Sequence, residues 1–378
     1  PCSDGSPIPS ADQPACLFIR AFRLLERMAA PDSNPDSECP GRATIWPMQS
    51  PSLRDLVPID AVWDRMSRVE SRLIEVTTSQ NDFLTQIAQH LVKAGGKRYR
   101  PLLAQVAGEL GPRCRDGGPI EAGVAVELVH IGSLYHDDVI DEAETRRGSA
   151  SVNANWDNTA AILGGDYLLA KASEVAAPLG EEAVTLIART YAALCEGQVL
   201  ELQLEGNITH GPNEYFAVIG GKTASLIRTS ARLGALTAGA TRDEIEAISE
   251  WAWEVGIVFQ MADDVLDLVA SEDFIGKPAG SDIKEGTYTL PVLYAAAGPD
   301  GDEIRTLLAD GAPTDPSVID RIIELTVAGG YTDRVVAEAA ERLKVAEKAA
   351  SRLPDSELRP ILRSLETYLT DRVQAALA

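Results

Sequence analysis

VAVELVHIGSLYHDDVIDEAETRRG, residues 124–148, decides how this chain is read. From Val124 to Tyr135 it is apolar with few interruptions and carries no proline, which predicts a buried helix. The helix then runs into Asp137, Asp138 and Asp141, with Arg146 and Arg147 just beyond. Residues four apart share a helix face, so Asp137 and Asp141 point the same way, with Asp138 beside them. Like charges at that spacing destabilise a helix unless a cation sits between them. A charge cluster is ordinarily a solvated face, so a second observation is needed before this one is read otherwise.

FQMADDVLDL (259–268) supplies it, with Asp263, Asp264 and Asp267 at the same spacing at the end of a second apolar helix. One such cluster among 57 acidic residues would say little, but two alike are a pattern. Mg²⁺ prefers carboxylate oxygens, keeps several waters and is commonly completed by substrate phosphates. Two facing clusters therefore predict a site in which Mg²⁺ holds a diphosphate. Cations for the same anion come from AGGKRYRP (94–101), with Lys97, Arg98 and Arg100 behind a Gly-Gly turn and a helix expected after Pro101. Lys222 in GGKTASL (220–226) and Lys277 in IGKPAGSD (275–282) also stand beside glycines. His130 lies two helical turns before Asp137 on roughly the same face. A lone histidine in an apolar helix is commonly a core residue, but this alignment makes it a candidate.

The rest of the chain fits one helical body. Helices are expected at 60–75, 80–94, 101–110, 119–141, 158–175, 181–205, 222–238, 242–269, 287–297, 315–328, 332–351 and 356–376, from apolar positions recurring at three and four. Strand-like alternation is nearly absent, and no solenoid period appears. The expected fold is all-α, helices around a deep central cavity, over residues 51–378. Ten of the 22 prolines fall within the first 58 residues, so 1–50 is expected to be a disordered extension. Its one amphipathic stretch, ACLFIRAFRLLERMAA (15–30), suits at most weak association with a membrane surface, and Arg20 and Arg23 spoil it as a signal peptide. No apolar run is long enough to span a bilayer. The net charge of −23 argues against a nucleic-acid partner. Cys2, Cys16, Cys39, Cys114 and Cys195 have no metal-ligand spacing, and a reducing, cytoplasmic location is the simplest expectation.

In order, GGKRYRP, HDDVIDEAETRRG, GGKTASL, FQMADDVLDL and GKPAGSD resemble the motifs of the trans-isoprenyl diphosphate synthases (polyprenyl synthetases), over about residues 60–376. The resemblance implies a homodimer of the isoprenoid synthase fold that joins isopentenyl diphosphate to an allylic diphosphate. It implies that Asp137, Asp138, Asp141, Asp263, Asp264 and Asp267 hold about three Mg²⁺ ions, with Mn²⁺ able to substitute. It assigns Lys97, Arg100, His130 and Arg147 to isopentenyl diphosphate. To the allylic diphosphate and the reacting carbon it assigns Arg146, Lys222, Thr223, Gln260 and Lys277. One position departs: EGTYTLP (285–291) has Thr287 where the family often has lysine, and Lys284 is the nearest replacement.

The helix before the first cluster bears on product size. In this family bulky aromatics near its end close the tunnel floor. Here Gly132, Ser133 and Val129 are small, which implies a medium- or long-chain product of about seven to ten isoprene units (about C35–C50), suited to a quinone side chain. Tyr135 is expected to face away from that tunnel. The alternatives are a short-chain (farnesyl or geranylgeranyl) synthase, a class I terpene cyclase and a non-catalytic partner subunit. The intact second cluster and GGKRYRP argue against the last two.

Overall fold

The computed structural model describes residues 52–271, 279–299 and 301–377; the expectations for residues 1–50 and for Lys277 lie outside them. Its helices are α1 (Leu53–Leu56), α2 (Asp60–Val76), α3 (Asp82–Lys93), α4 (Tyr99–Gly108) and α5 (Gly118–Ile140). A hairpin follows, β1 (Thr145–Arg146) with β2 (Ser149–Ala150), then α6 (Val152–Asn155), α7 (Asn158–Ala176) and α8 (Glu181–Leu204). Next come α9 (Pro212–Ile219), a π-helical turn (Gly220–Ala224), α10 (Ser225–Ala238) and α11 (Arg242–Val269). The last elements are α12 (Ser281–Lys284), α13 (Leu290–Ala296), α14 (Gly301–Leu307), α15 (Pro316–Ala328), α16 (Tyr331–Ala350) and α17 (Leu358–Leu377). The all-α expectation holds, with the antiparallel hairpin (Thr145 opposite Ala150, Arg146 opposite Ser149) as the only sheet among the described residues.

Every long helix expected from the periodicity is present. Where the structure differs, local chemistry explains it. Helix α4 begins at Tyr99, before Pro101, because proline in a first turn lacks only an N–H that has no helical acceptor there. The helix expected from 222 is a π-helical turn that passes into α10 at Ser225. Helix α13 starts at Leu290, with Pro291 in its first turn, leaving 287–289 outside any helix. Helices α1, α6, α9, α12 and α14 were not expected, being too short to show a period.

Helix α5 is buried at every position from Ala122 to Tyr135, as an all-round apolar helix must be. It packs on α2, α4, α7 and α10, and the core around it includes Leu73, Leu91, Leu128, Ile131 and Leu168. A second core surrounds α11, where Trp251, Val255 and Val258 meet residues of α16 and α17 such as Val335 and Leu362. Helix α10 packs against both α5 and α11 and so ties the two acidic helix ends into one body. None of the described helices is long and apolar enough to cross a membrane.

Candidate active site

Both acidic clusters stand at helix C-termini, where the helix dipole already concentrates negative charge and an anion is least welcome. Asp137, Asp138 and Asp141 are buried as well, at 3%, 0% and 7% exposure. Burial drives the Asp137 carboxyl well above the usual carboxylate range, and Asp141 and Asp138 push the same way. Lys222 and Arg146 pull against them and are the cations felt at that carboxyl.

The hairpin brings Arg146 there. Arg147 (φ 53°) and Gly148 (φ 74°) form its two-residue turn with both backbones left-handed, the geometry that suits the twist of a tight hairpin. The chain therefore reverses at once, and Arg146 donates from Nε (2.8 Å) and Nη2 (2.5 Å) to Asp138 Oδ1. Arg146 Nη1 and Asp137 Oδ2 are both buried without a hydrogen-bond partner among the described residues. One is a donor and the other an acceptor, which is what a phosphate oxygen and a metal ion would respectively use.

At the second cluster Asp264 and Asp267 are buried and Asp263 is half-buried. Asp264 accepts from Tyr215 Oη at 2.5 Å and from Gln260 Nε2 at 2.9 Å. Burial, with Asp282 and Asp263 nearby, holds its carboxyl well above the usual range against those two bonds. Asp267 Oδ2 accepts from the Asp282 backbone N–H at 3.0 Å, and its carbonyl accepts from Gly280 N–H at 2.8 Å, so the segment leading into α12 is fastened to it.

The π-helical turn joins the two clusters. Lys222 acts on Asp137 and forms an ion pair with Glu201 of α8. Its neighbour Thr223 donates to Gln260 Oε1 at 2.9 Å, and Gln260 in turn holds Asp264. The turn approaches α8 closely enough that a Cβ on Gly221 would lie 2.7 Å from the Ala193 carbonyl oxygen, which accounts for the second glycine of GGKTASL.

A group of arginines surrounds His130. His130 is buried, and burial together with Arg100, Arg147, Arg146 and Arg98 holds its imidazole well below the usual range, so it is neutral. Arg100 is buried and Lys97 half-buried. Arg98 is structural: with left-handed backbone (φ 49°) it pairs with Glu127 (2.7 Å) and Glu70 (2.7 Å) and donates to the Val92 carbonyl. Arg147 donates to the carbonyls of Leu91 (3.0 Å) and Gly95 (2.5 Å), with Glu127 3.8 Å away.

A Cβ on Gly132 would lie 3.1 Å from the Gly165 carbonyl oxygen and 3.1 Å from Leu169 Cγ, so this glycine also serves the close approach of α5 to α7. Val129 is fully buried in the same core. Ser133, whose hydroxyl bonds back to the His130 carbonyl, keeps 8% exposure. Tyr135 does turn away, donating to the Ile87 carbonyl of α3 at 2.6 Å.

Sequence reasoning missed Tyr215, Glu201, Glu127 and Asp282. Glu127 had a signal, an isolated acid in an apolar helix. The other three have none, because their partners are distant in sequence. The orphaned Asp137 Oδ2 fits a Mg²⁺ ion, which keeps several waters and takes oxygens from carboxylate and phosphate.

Two aspartate-bearing helix ends linked through one turn, with a group of arginines around His130, make an all-α body with a site suited to metal ions and anions. The polyprenyl synthetase family model matches residues 81–326, and the chain belongs to that family, which makes it a prenyltransferase. It is 38% identical over 322 residues to nonaprenyl diphosphate synthase of Mycobacterium tuberculosis, covering 85% of this chain and 96% of that one. Component 2 of heptaprenyl diphosphate synthase from Geobacillus stearothermophilus is 36% identical, covering 82% and 96%. Among solved structures, geranylgeranyl pyrophosphate synthase of Corynebacterium glutamicum, complexed with calcium and isoprenyl diphosphate, superposes with TM-score 0.74 at 39% identity, covering 83% and 96%.

Proposed function

We propose that this chain is a Mg²⁺-dependent trans-polyprenyl diphosphate synthase that condenses isopentenyl diphosphate with an allylic diphosphate to a medium- or long-chain product. The observation that carries the reading is the adjacent pair Lys222 and Thr223, one acting on the first aspartate cluster and the other hydrogen-bonded through Gln260 to the second. Mg²⁺ held by Asp137, Asp138, Asp141, Asp263, Asp264 and Asp267 would supply the positive charge that makes diphosphate a leaving group. Arg146 and Lys222 add fixed cations where negative charge develops on departure. Gln260, held by Thr223, keeps Asp264 oriented. Lys97, Arg100, His130 and Arg147 form the second anion site, for isopentenyl diphosphate, and neutral His130 donates or accepts there without adding charge.

The allylic cation is attacked by the double bond of isopentenyl diphosphate, and a proton is then lost. We assign that proton to the departing diphosphate, since no motif residue is a strong, free base. The small Ser133 below Asp137, with the names of the nonaprenyl and heptaprenyl relatives, supports a product of about C35–C50. A second copy of the chain is the proposed partner: Ile162 and Leu163 of α7 and Val199 and Leu202 of α8 are exposed large apolar residues on two neighbouring helices. Asp137→Ala tests the chemistry: turnover should vanish while the melting temperature stays near that of the parent. Retained turnover would remove the first cluster from the mechanism.

A further inference from the structure

The first cluster does not end with its helix. Asp141 is the C-cap of α5, so its place depends on the turn that follows as well as on the helix behind it. That turn is of the Schellman kind: Ala143 N–H donates to the Asp138 carbonyl at 2.9 Å, and Glu142 N–H reaches the Val139 carbonyl at 3.5 Å. The motif needs left-handed backbone just past the cap, where glycine is usual, and here Glu142 (φ 49°) fills it. Glu142 is exposed, so packing does not hold it there. A strained residue of this kind persists only where neighbouring groups over-determine its conformation. Asn153 of α6 supplies that hold. Its Nδ2 donates to the Asp138 carbonyl at 3.1 Å and to the Ala143 carbonyl at 3.0 Å, spanning the two ends of the turn. Ser151 adds a hydroxyl bond to the same Ala143 carbonyl, and its N–H donates to the Glu144 carbonyl at 3.0 Å. Asn153 Oδ1 is left buried with no hydrogen-bond partner among the described residues. A buried orphan acceptor is unfavourable, and departures of this kind are retained where the group has another task. At the second cluster the comparable task falls to the N–H groups of Gly280 and Asp282, which fasten Asp267.

We propose that Asn153 is a positioning residue of the metal site: its amide clamps the turn that carries Asp141 and so keeps Asp137, Asp138 and Asp141 in register for one divalent cation. The inference rests on the proposed function, in which these carboxylates hold Mg²⁺. Asn153 acts only through the backbone carbonyls of Asp138 and Ala143, not by ligating the ion. An amide suits the task because one NH₂ group carries two donors, whereas an aspartate of the same shape would set an oxygen against both carbonyls. Groups that orient metal ligands from behind commonly change metal affinity or activity about ten- to a hundredfold when removed.

The test uses the full chain with inorganic diphosphate and rising Mg²⁺, read first as melting temperature; turnover on the two substrates follows. Asn153→Asp keeps the volume and loses both donors. It should raise the Mg²⁺ concentration for half-maximal stabilisation about ten- to a hundredfold. A simple charge effect would act the other way, since an added carboxylate attracts the cation. Asn153→Ala should shift the Mg²⁺ requirement in the same direction as Asn153→Asp. In turnover the Mg²⁺ requirement should rise by the same factor while KM for isopentenyl diphosphate holds, because Arg100 stands on a different element, α4. Glu142→Gly relieves the left-handed position, so adding it to either variant should recover most of the lost Mg²⁺ affinity. Lower melting in both single variants with the parental half-saturating Mg²⁺ would overturn the proposal and leave Asn153 a purely structural role. Failure of Glu142→Gly to rescue either variant would overturn it too, because the clamp would not be acting through the turn. Failure of the prenyl-transfer reading would look different: the parent itself would melt alike with and without Mg²⁺ and diphosphate and would turn nothing over, and the inference would fall with it.

Discussion

Asp138 and Arg146 make a pair whose loss has a calculable cost. Their side chains are 0% and 1% exposed, and Arg146 reaches one carboxylate oxygen through two nitrogens at 2.5 and 2.8 Å. Removing one partner leaves the other charge buried and uncompensated, which costs about 3–5 kcal/mol. Arg146→Met and Asp138→Asn should each lower the melting temperature by roughly 4–7 °C in a chain of this size. The double variant removes both charges, and uncharged replacements of a buried pair are commonly near neutral, so it should recover most of that loss. Turnover should stay absent in all three, because stability and catalysis use the same groups for different reasons. Scanning calorimetry on the four proteins gives the coupling energy directly. Additive losses in the double variant, or single losses below about 1 kcal/mol, would refute the pair as a buried, mutually dependent unit.

Ser133→Phe should shorten the product, as read by chromatography of the dephosphorylated alcohols. Gly132→Phe should also force α5 and α7 apart and lower the melting temperature; a melting temperature unchanged from the parent would refute that contact. Tyr215→Phe removes the 2.5 Å bond to Asp264 and should reduce kcat about ten- to a hundredfold, with more Mg²⁺ needed for half-activity. Glu366, buried against Trp251 with a 2.6 Å bond to its indole N–H, has its carboxyl raised to about 7, chiefly by burial. Because the folded value lies above the unfolded one, its stabilising contribution is full below about 4.5 and fades as pH rises through about 7. Glu366→Gln should therefore melt above the parent at pH 8 and lose that advantage near pH 5; parallel curves across this range would exclude the effect.

Much of this architecture was legible because it rests on local rules. Asp137 and Asp141 share a face by helix geometry alone, and the buried run from Val124 to Tyr135 could only be a central helix. Lys222 and Thr223 were legible as residues of a glycine-flanked motif, but not as the link between the clusters, because that depends on α10 packing between α5 and α11. Tyr215 and Glu201 were invisible for the same reason: their partners lie 49 and 21 residues away. The contact Gly132 makes with α7 was not legible, because a glycine for helix contact and a small residue on a tunnel wall look the same until the neighbouring helix is in place. Pro101 misled the boundary of α4, since proline marks both the residue after a break and the first turn of a helix.

The central claim is that two aspartate clusters and the cations between them transfer an allylic group to isopentenyl diphosphate. The direct measurement incubates the full chain with Mg²⁺, labelled isopentenyl diphosphate and dimethylallyl, geranyl, farnesyl or geranylgeranyl diphosphate in turn, then sizes the labelled product. The account predicts Mg²⁺-dependent incorporation into a linear chain of about C35–C50, abolished by Asp137→Ala. Diphosphate release from an allylic substrate with no isopentenyl incorporation would contradict it.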